Sequence, residues 1–456
     1  MIGVTGCSIY IPRYRIRRAT ITAAWNAAPA PGCKAVSNFD EDTVTMAQAA
    51  AWPLVDERTA PDRIHFASTA APYWQRASSS QIAAICDLPA STATVDFSGA
   101  LRVGLSALLA AADALEARSA QTALVVAADH RDGAPESSDE LTFGDAAAAI
   151  ALGSQDVSAE IIGRASRSDD FLDEWRRDSD RYIRSYASRY STSRGYEANM
   201  LAVIQDALES AGVSAGGIAH AALASPDGRS HNALAKGLGL APSRIMDTRA
   251  TDLGVTGVAM PLLLLAQALQ AAQPGDLILC AAYGDGADAI LLRVLRAADP
   301  LQTDARVIEY SSYPLYRKSR DYLRESSGGA EISNVLWKKE ERQNVRLHGS
   351  RCPICGTVQF PITRVCGACR NSEGLIEQRL GRTGSVFTFT KDFLYDAPAQ
   401  PTVMAVIDLD GGGRFLCQMT DADEREVRIG MPVELVFRRA RESSQNHNYY
   451  WKCRPV

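Results

Sequence analysis

The 456-residue sequence predicts a layered α/β domain made of two repeated halves, followed by a small metal-binding module and an all-β barrel. Three observations carry this. Through the first 300 residues, alanine-rich stretches alternate with short apolar runs such as "TALVVAAD" (Thr122 to Asp129) and "DLILCAAY" (Asp276 to Tyr283), the rhythm of helices packed on a sheet. The chain also echoes itself: "GDAAAAIAL" (Gly144 to Leu152) matches "GDGADAILL" (Gly284 to Leu292) at six of nine positions. Finally, four cysteines fall into two C-x2-C pairs just before a run of alternating strands.

The opening "MIGVTGCSIYIPRYRIRR" reads as the first strand, because its charges follow the apolar segment rather than precede it, the wrong order for a secretory signal. "VDFSGALRVGLSAL" (Val95 to Leu108) reads as a buried strand that passes through a glycine turn into a helix. A second echo supports the duplication: Leu101, Val103 and Ala107 match Leu253, Val255 and Ala259 at a constant offset of 152. The α/β domain is therefore set at residues 1–295, with halves near 1–155 and 156–295. Charged, tyrosine-rich sequence with Ser/Gly interruptions makes 296–346 a linker with one or two short helices. The metal module occupies 347–380, and the barrel 381–456, where "SVFTFTKDF", "TVMAVIDL", "RFLCQMTD" and "PVELVFRRA" are its strands.

Composition narrows the function classes. Hydrophobic residues at 46% and charged residues at 22% are soluble-globular values. The longest apolar stretch, "GVAMPLLLLAQALQAA", is interrupted by Pro261 and Gln267 and is shorter than the roughly 20 residues of a membrane span. Residues 301–456 carry 23 basic against 19 acidic side chains and the first 300 carry 25 against 34, with no concentrated basic patch, so a nucleic-acid role is disfavoured.

"CPICGTVQFPITRVCGAC" places Cys352, Cys355, Cys366 and Cys369 as two knuckles separated by ten residues. Four thiolates with no open position suit a tetrahedral zinc in a structural role, and paired cysteines of this kind point to a reducing, cytoplasmic compartment. The other six, Cys7, Cys33, Cys86, Cys280, Cys417 and Cys453, stand singly and read as core packing.

With these motifs in hand, the chain resembles a known family. "GVTGCSIYIPRYRI", "EDTVTMAQAAA" (Glu41 to Ala51), "DFSGALRVGLSAL", "GDAAAAIAL" and "YGDGADAILL" resemble the thiolase superfamily, nearest its 3-hydroxy-3-methylglutaryl-CoA synthase branch. "RCPICGTVQFP", "GSVFTFT", "IDLDGGGRFLCQMTD" and "IGMPVELVFRR" resemble the zinc-ribbon plus OB-fold module that accompanies thiolase-like enzymes as a subunit or a fusion. The resemblance implies a five-layer α-β-α-β-α domain, a coenzyme A or phosphopantetheine thioester as substrate, and a homodimer or a heteromer with a thiolase-like protein.

The family's chemistry uses a cysteine at the strand-to-helix turn, a glutamate and a histidine. Aligning the turn puts Leu101 at the cysteine position, Ala70 near the glutamate and Ala224 near the histidine. Leucine attacks no thioester, so the acyl-enzyme route is disfavoured, whereas free backbone N–H groups at the helix start can still hold an enolate or carbonyl oxygen. Candidate acids and bases are then Asp227 and His231 in "SPDGRSH" and Tyr283 and Asp285 in "AAYGDGAD", with His130 ending the equivalent first-half strand. Each also has an ordinary structural reading: Asp227-Gly228 as a turn pair, Asp285 as a partner to a backbone amide, His130 as merely exposed.

Two functions follow. One is an enzyme that makes or breaks a carbon–carbon bond in an acyl thioester without an acyl-enzyme; the other is a non-catalytic relative that scaffolds an active thiolase-like partner. Single-strand binding by ribbon and barrel is a third and weaker expectation, since "VFTFTKDFLY" and "NHNYYWKC" suit a core better than a stacking platform.

Overall fold

Nine strands of the N-terminal unit form one mixed sheet: β1 (Gly3–Tyr10), β2 (Arg63–Ala67), β3 (Ala93–Phe97), β4 (Thr122–Asp129), β5 (Ala146–Gly153), β6 (Ala159–Ser168), β7 (His220–Leu223), β8 (Leu277–Tyr283) and β9 (Gly286–Val294). Their order is β7-β8-β9-β6-β1-β5-β4-β2-β3. Outward from the antiparallel β1–β6 pair, each side repeats the same steps, an antiparallel strand, another antiparallel strand, then a parallel one. The echoed sequences are β5 and β9, so the duplication read from the chain is a duplication in space. Beyond β7, an isolated parallel bridge from Ala221 to Ile245 stands where β3 stands in the first half.

This computed structural model describes residues 1–55, 60–186, 189–325, 333–395, 397–398, 400–440 and 446–456. The chain divides into two units, residues 1–37 with 46–313 and residues 38–45 with 314–456. The division falls at Tyr313 rather than Leu295 because residues after the sheet still pair with the first unit: Ile308 and Glu309 lie parallel to Tyr14 and Arg15.

Period-2 alternation lets the second-half strands serve two cores. Ile278, Cys280, Ala282, Ile290 and Leu292 join the central core with helices α1 (Val103–Glu116) and α4 (Met260–Ala271). Leu279, Ala281, Ala289 and Leu291 face the other way, onto α2 (Ala198–Ser210) and α3 (Gly228–Gly237). One expectation is corrected here: β3 is not a buried strand. It is the sheet's edge, with Val95 40% exposed and β2 its single partner among the described residues. Its apolar composition therefore marks an open edge rather than an interior.

In the C-terminal unit, short strands at His348–Arg351, Val358–Gln359 and Ile376–Arg379 form the ribbon sheet. Strands β10 (Thr383–Asp392), β11 (Thr402–Leu409), β12 (Arg414–Gln418), β13 (Pro432–Arg439) and β14 (Tyr449–Pro455) follow in the order β12-β11-β10-β13-β14. A bridge from Met419 to Cys453 brings the two ends together, so the barrel is nearly closed. The segment 38–45 belongs to this unit through a buried charge network. Arg438 binds Glu41 and Asp421, Lys452 Nζ donates to Asp40 Oδ2 at 2.8 Å, and Tyr449 donates to Asp42 at 2.5 Å. No helix among the described residues is long and apolar enough to cross a membrane.

Candidate functional site

The turn between β3 and α1 is built from Ser98 to Arg102. Gly99 takes φ +106°, a conformation glycine adopts freely, and reverses the chain so that α1 can begin at Val103. Neither Leu101 N nor Arg102 N donates to an acceptor among the described residues, as expected for the first amides of a helix. The Leu101 side chain is partly buried against the central core. Arg102 pins the turn to the second half: its Nη1 donates to Asp288 Oδ1 at 3.0 Å and to the carbonyl of Arg167 at 2.7 Å. Asp288, 1% exposed on β9, also accepts the Ser106 and Ser166 hydroxyls.

Against this turn lies the loop between β8 and β9. A methyl built on Gly284 would sit 2.6 Å from Leu101 N and 3.0 Å from Arg102 N. Glycine at 284 thus permits a close approach to these two amides, which come from adjacent residues and have no acceptor among the described residues. Paired amide donors are what stabilises a carbonyl or enolate oxygen.

The resemblance sets Ala224 and Ala70 near the family's histidine and glutamate. Ala224 follows β7, donates its N–H to Ala281 O at 3.0 Å, and packs with Leu101 on the central core. Ala70 follows β2 and donates to Ser68 Oγ at 3.0 Å. That loop is fixed by Asp129, which is fully buried and accepts from Thr69 N at 2.8 Å and Val258 N at 3.0 Å; burial raises its pKa and the Val258 amide opposes the rise.

Tyr283 ends β8, and its hydroxyl donates to Asp173 Oδ2 at 2.8 Å. Burial raises its pKa, and the bond to Asp173 raises it further, so the phenol stays protonated. Its ring meets Tyr196 edge-on at 5.7 Å, and the Tyr196 hydroxyl donates to Ala224 O at 3.0 Å. Tyr283 is thus linked to Ala224 through Tyr196, and its neighbour Gly284 lies against Leu101. Asp285 sits at φ +48°; burial raises its pKa, Arg102 opposes this and Asp170 adds to it.

Asp227 and His231 line a cleft that does not include Leu101, Tyr283 or Gly284. Asp227 caps α3, with Oδ1 accepting from Arg229 N at 2.8 Å and Ser230 N at 2.9 Å, the structural role its turn pair foretold. His231, one turn later, is 8% exposed and lines a cleft of about 470 Å³ with Thr142, Pro226, Asp227, Asp247 and Val255. Its Nε2 has no hydrogen-bond partner among the described residues. Burial lowers its pKa while Asp247 opposes the shift, so the ring is biased towards the neutral form. His130 lies elsewhere, with Nδ1 2.9 Å from Ser37 Oγ, in a structural contact.

The four paired cysteines converge. Their sulfurs lie within 4.8 Å of one another, and the pairs Cys352–Cys369 and Cys355–Cys366 are each 3.6 Å apart. Thiolates 2.3 Å from one tetrahedral ion would be about 3.8 Å apart, so the set fits such an ion. Of the six single cysteines, Cys86, Cys280, Cys417 and Cys453 are buried, while Cys7 and Cys33 are partly so.

Sequence reasoning did not find Asp173, Tyr196, Asp288 or the role of Gly284. The one signal for Asp173 was "SDDFLDEW", an acidic stretch between strands.

Two family models match. One is described as the C-terminal domain of 3-oxoacyl-[acyl-carrier-protein] synthase III and covers residues 208–294; the other is the C-terminal OB-fold domain of ChsH2 and covers residues 377–438. Hydroxymethylglutaryl-CoA synthase of Methanopyrus kandleri is 27% identical over 71% of this chain and 98% of its own, and that of Caldivirga maquilingensis is 28% identical over 70% and 97%. Among solved structures, an HMG-CoA synthase complexed with CoA superposes with TM-score 0.63 at 16% identity, covering 73% of this chain and 92% of that one. The 3-oxoacyl-[acyl-carrier-protein] synthase III of Aquifex aeolicus gives 0.58 at 21%, covering 64% and 100%. The chain has a thiolase-like fold, is similar to hydroxymethylglutaryl-CoA synthases over about seven-tenths of its length, and matches an OB-fold domain model near its C-terminus.

Proposed function

We propose that the protein is an enzyme acting on acyl thioesters of coenzyme A or a phosphopantetheine arm, and that it makes or breaks a carbon–carbon bond without forming an acyl-enzyme. The observation that carries this is the amide pair of Leu101 and Arg102, without an acceptor among the described residues and closely approached by Gly284, at a turn whose side chain is hydrocarbon. In the cleaving direction, a base removes the β-hydroxyl proton of a β-hydroxyacyl thioester and the Cα–Cβ bond breaks. Its electron pair becomes the thioester enolate, whose oxygen is held by the two amides. Protonation at Cα gives the shorter acyl thioester, and the β-carbon leaves as an aldehyde or ketone.

The proton traffic is assigned to groups whose protonation state fits it. His231, biased towards neutral by burial, accepts the hydroxyl proton from the cleft side. Tyr283, kept protonated and held by Asp173, is the candidate donor to carbon. Asp285 and Asp227 act through position, the first in the loop bearing Gly284 and the second as the cap of α3. The relatives whose names or titles include CoA support coenzyme A as the thioester carrier. Cys352, Cys355, Cys366 and Cys369 would hold a zinc ion, which in a closed set of four thiolates acts to fold the ribbon. The test is incubation with a panel of β-hydroxyacyl-CoAs, following carbonyl product and free thiol separately; carbonyl release without free coenzyme A is the expected result.

A second reading has its own support. Leu101, Ala70 and Ala224 are all apolar, and β3 presents an open sheet edge. A non-catalytic chain that pairs with an active thiolase-like protein, or with its own copy, along that edge would need neither cysteine, glutamate nor histidine. Absence of turnover over the whole panel, together with co-purification of such a partner, would favour it.

A further inference from the structure

The C-terminal unit contains a cavity of its own, of about 450 Å³, with no part in the chemistry above. Its walls are largely aromatic and apolar, formed by Trp337 on α5 (Asn334–Lys339) and by Tyr395, Met404, Leu416, Tyr450 and Trp451 of the barrel. The charged and polar groups around it are mostly engaged. Lys452 Nζ donates to Asp40, Trp451 Nε1 donates to Val345 O at 3.0 Å, and Asn344 donates to Glu340 at 2.7 Å. Three polar groups remain without a partner among the described residues: the Trp337 indole N–H, the Tyr450 hydroxyl and the Gln418 amide. Burial pushes the Tyr450 pKa up to about 12, so it is a donor at any physiological pH.

These features select a ligand class. A phosphate or carboxylate would lack a free cation, since Lys452 already serves Asp40, and would face Glu340. A purely hydrocarbon molecule would leave the indole N–H and the phenol O–H desolvated and unpaired, at a cost of roughly 1–3 kcal/mol each. We propose that this cavity binds an uncharged molecule with a flat apolar body and one carbonyl oxygen, the body lying between the aromatic walls and the oxygen accepting from Trp337 and Tyr450. The volume suits a small organic ligand rather than a peptide. This site is separate from the turn at Leu101 and stands whether or not the chain turns over thioesters.

The test uses the full chain and 6-propionyl-2-(dimethylamino)naphthalene, a neutral, flat, fluorescent ketone. Saturable binding of one probe per chain with blue-shifted emission is expected. Tyr450→Phe, which keeps the ring, should weaken binding about five-fold, the loss of one hydrogen bond, and Trp337→Phe, which also removes part of the aromatic wall, should weaken it at least as much. Met404→Trp, which fills the cavity, should abolish it, with circular dichroism checking the fold. The carboxylate analogue 6-(dimethylamino)-2-naphthoate should not compete. Probe affinity unchanged in both Tyr450→Phe and Met404→Trp, absence of saturable binding, or equal competition by the carboxylate would each overturn the proposal.

Discussion

Gly284 lies so close to Leu101 that a single methyl on it would stand 2.6 Å from the Leu101 amide nitrogen. Two loops from opposite halves of a duplicated fold meet at that point, and the contact is possible only without a side chain at 284. Gly284→Ala should therefore displace its loop from both amides. The expected outcome is at least about 100-fold lower kcat/KM, the scale seen when one such donor is removed, with the fold retained by circular dichroism. An unchanged rate would remove the amide pair from the mechanism.

Leu101→Cys places a nucleophile at the turn. If the surroundings remain those of a thioester site, incubation with acetyl-CoA should add one acetyl group per chain by intact mass, and the unmodified chain should gain none. Failure of the variant to acylate would mean that the thioester carbon does not reach the turn.

Asp288 is the buried acceptor for Arg102, Ser106 and Ser166, so it ties the turn to β9. Asp288→Ala leaves a guanidinium and two hydroxyls without their acceptor, at a cost of about 3–5 kcal/mol. The denaturant midpoint should fall accordingly, whereas the exposed Arg425–Asp423 pair should tolerate Arg425→Ala with little change.

Stability should decline as the pH falls below about 6.5. His231 and His65 both have pKa values lowered by burial, opposed by Asp247 in the first case and by the bond to Ala107 O in the second. The unfolded chain then binds more protons than the folded one as pH drops through the unfolded histidine pKa towards the folded values, so the stability present above about 6.5 is progressively lost. Urea midpoints at pH 7.5 and 5.5 measure this, and His231→Gln should narrow the difference between them.

One zinc per chain is expected by elemental analysis. Cys366→Ser, at a fully buried ligand position, should lower that content and destabilise the ribbon, while Cys86→Ser should leave the metal content unchanged.

Local pattern made much of the fold legible. The strand at Thr122–Asp129 and the C-x2-C pairs depend on neighbours a few residues apart, and the echo between Gly144 and Gly284 disclosed the repeated halves because duplication leaves the same local pattern twice. The site was legible only in outline. Asp173 bonds Tyr283 across 110 residues, and Asp42 bonds Tyr449 across 407, so no window of sequence contains both partners. Edge position misled in the same way: Val95 and Phe97 are apolar whether a strand has two neighbours or one, and only the topology leaves β3 exposed. The capping role of Asp227 was readable as a turn pair, whereas the orphaned Nε2 of His231 depends on packing from loops far along the chain.

The central claim is that bond making and breaking here proceeds on a thioester held by backbone amides, with no covalent link to the protein. Rapid acid quench during turnover of an isotopically labelled β-hydroxyacyl-CoA, followed by intact-mass analysis of the chain, tests it most directly. Labelled carbonyl product with the chain at its unmodified mass is the predicted result, and label retained on the polypeptide at any side chain would contradict it.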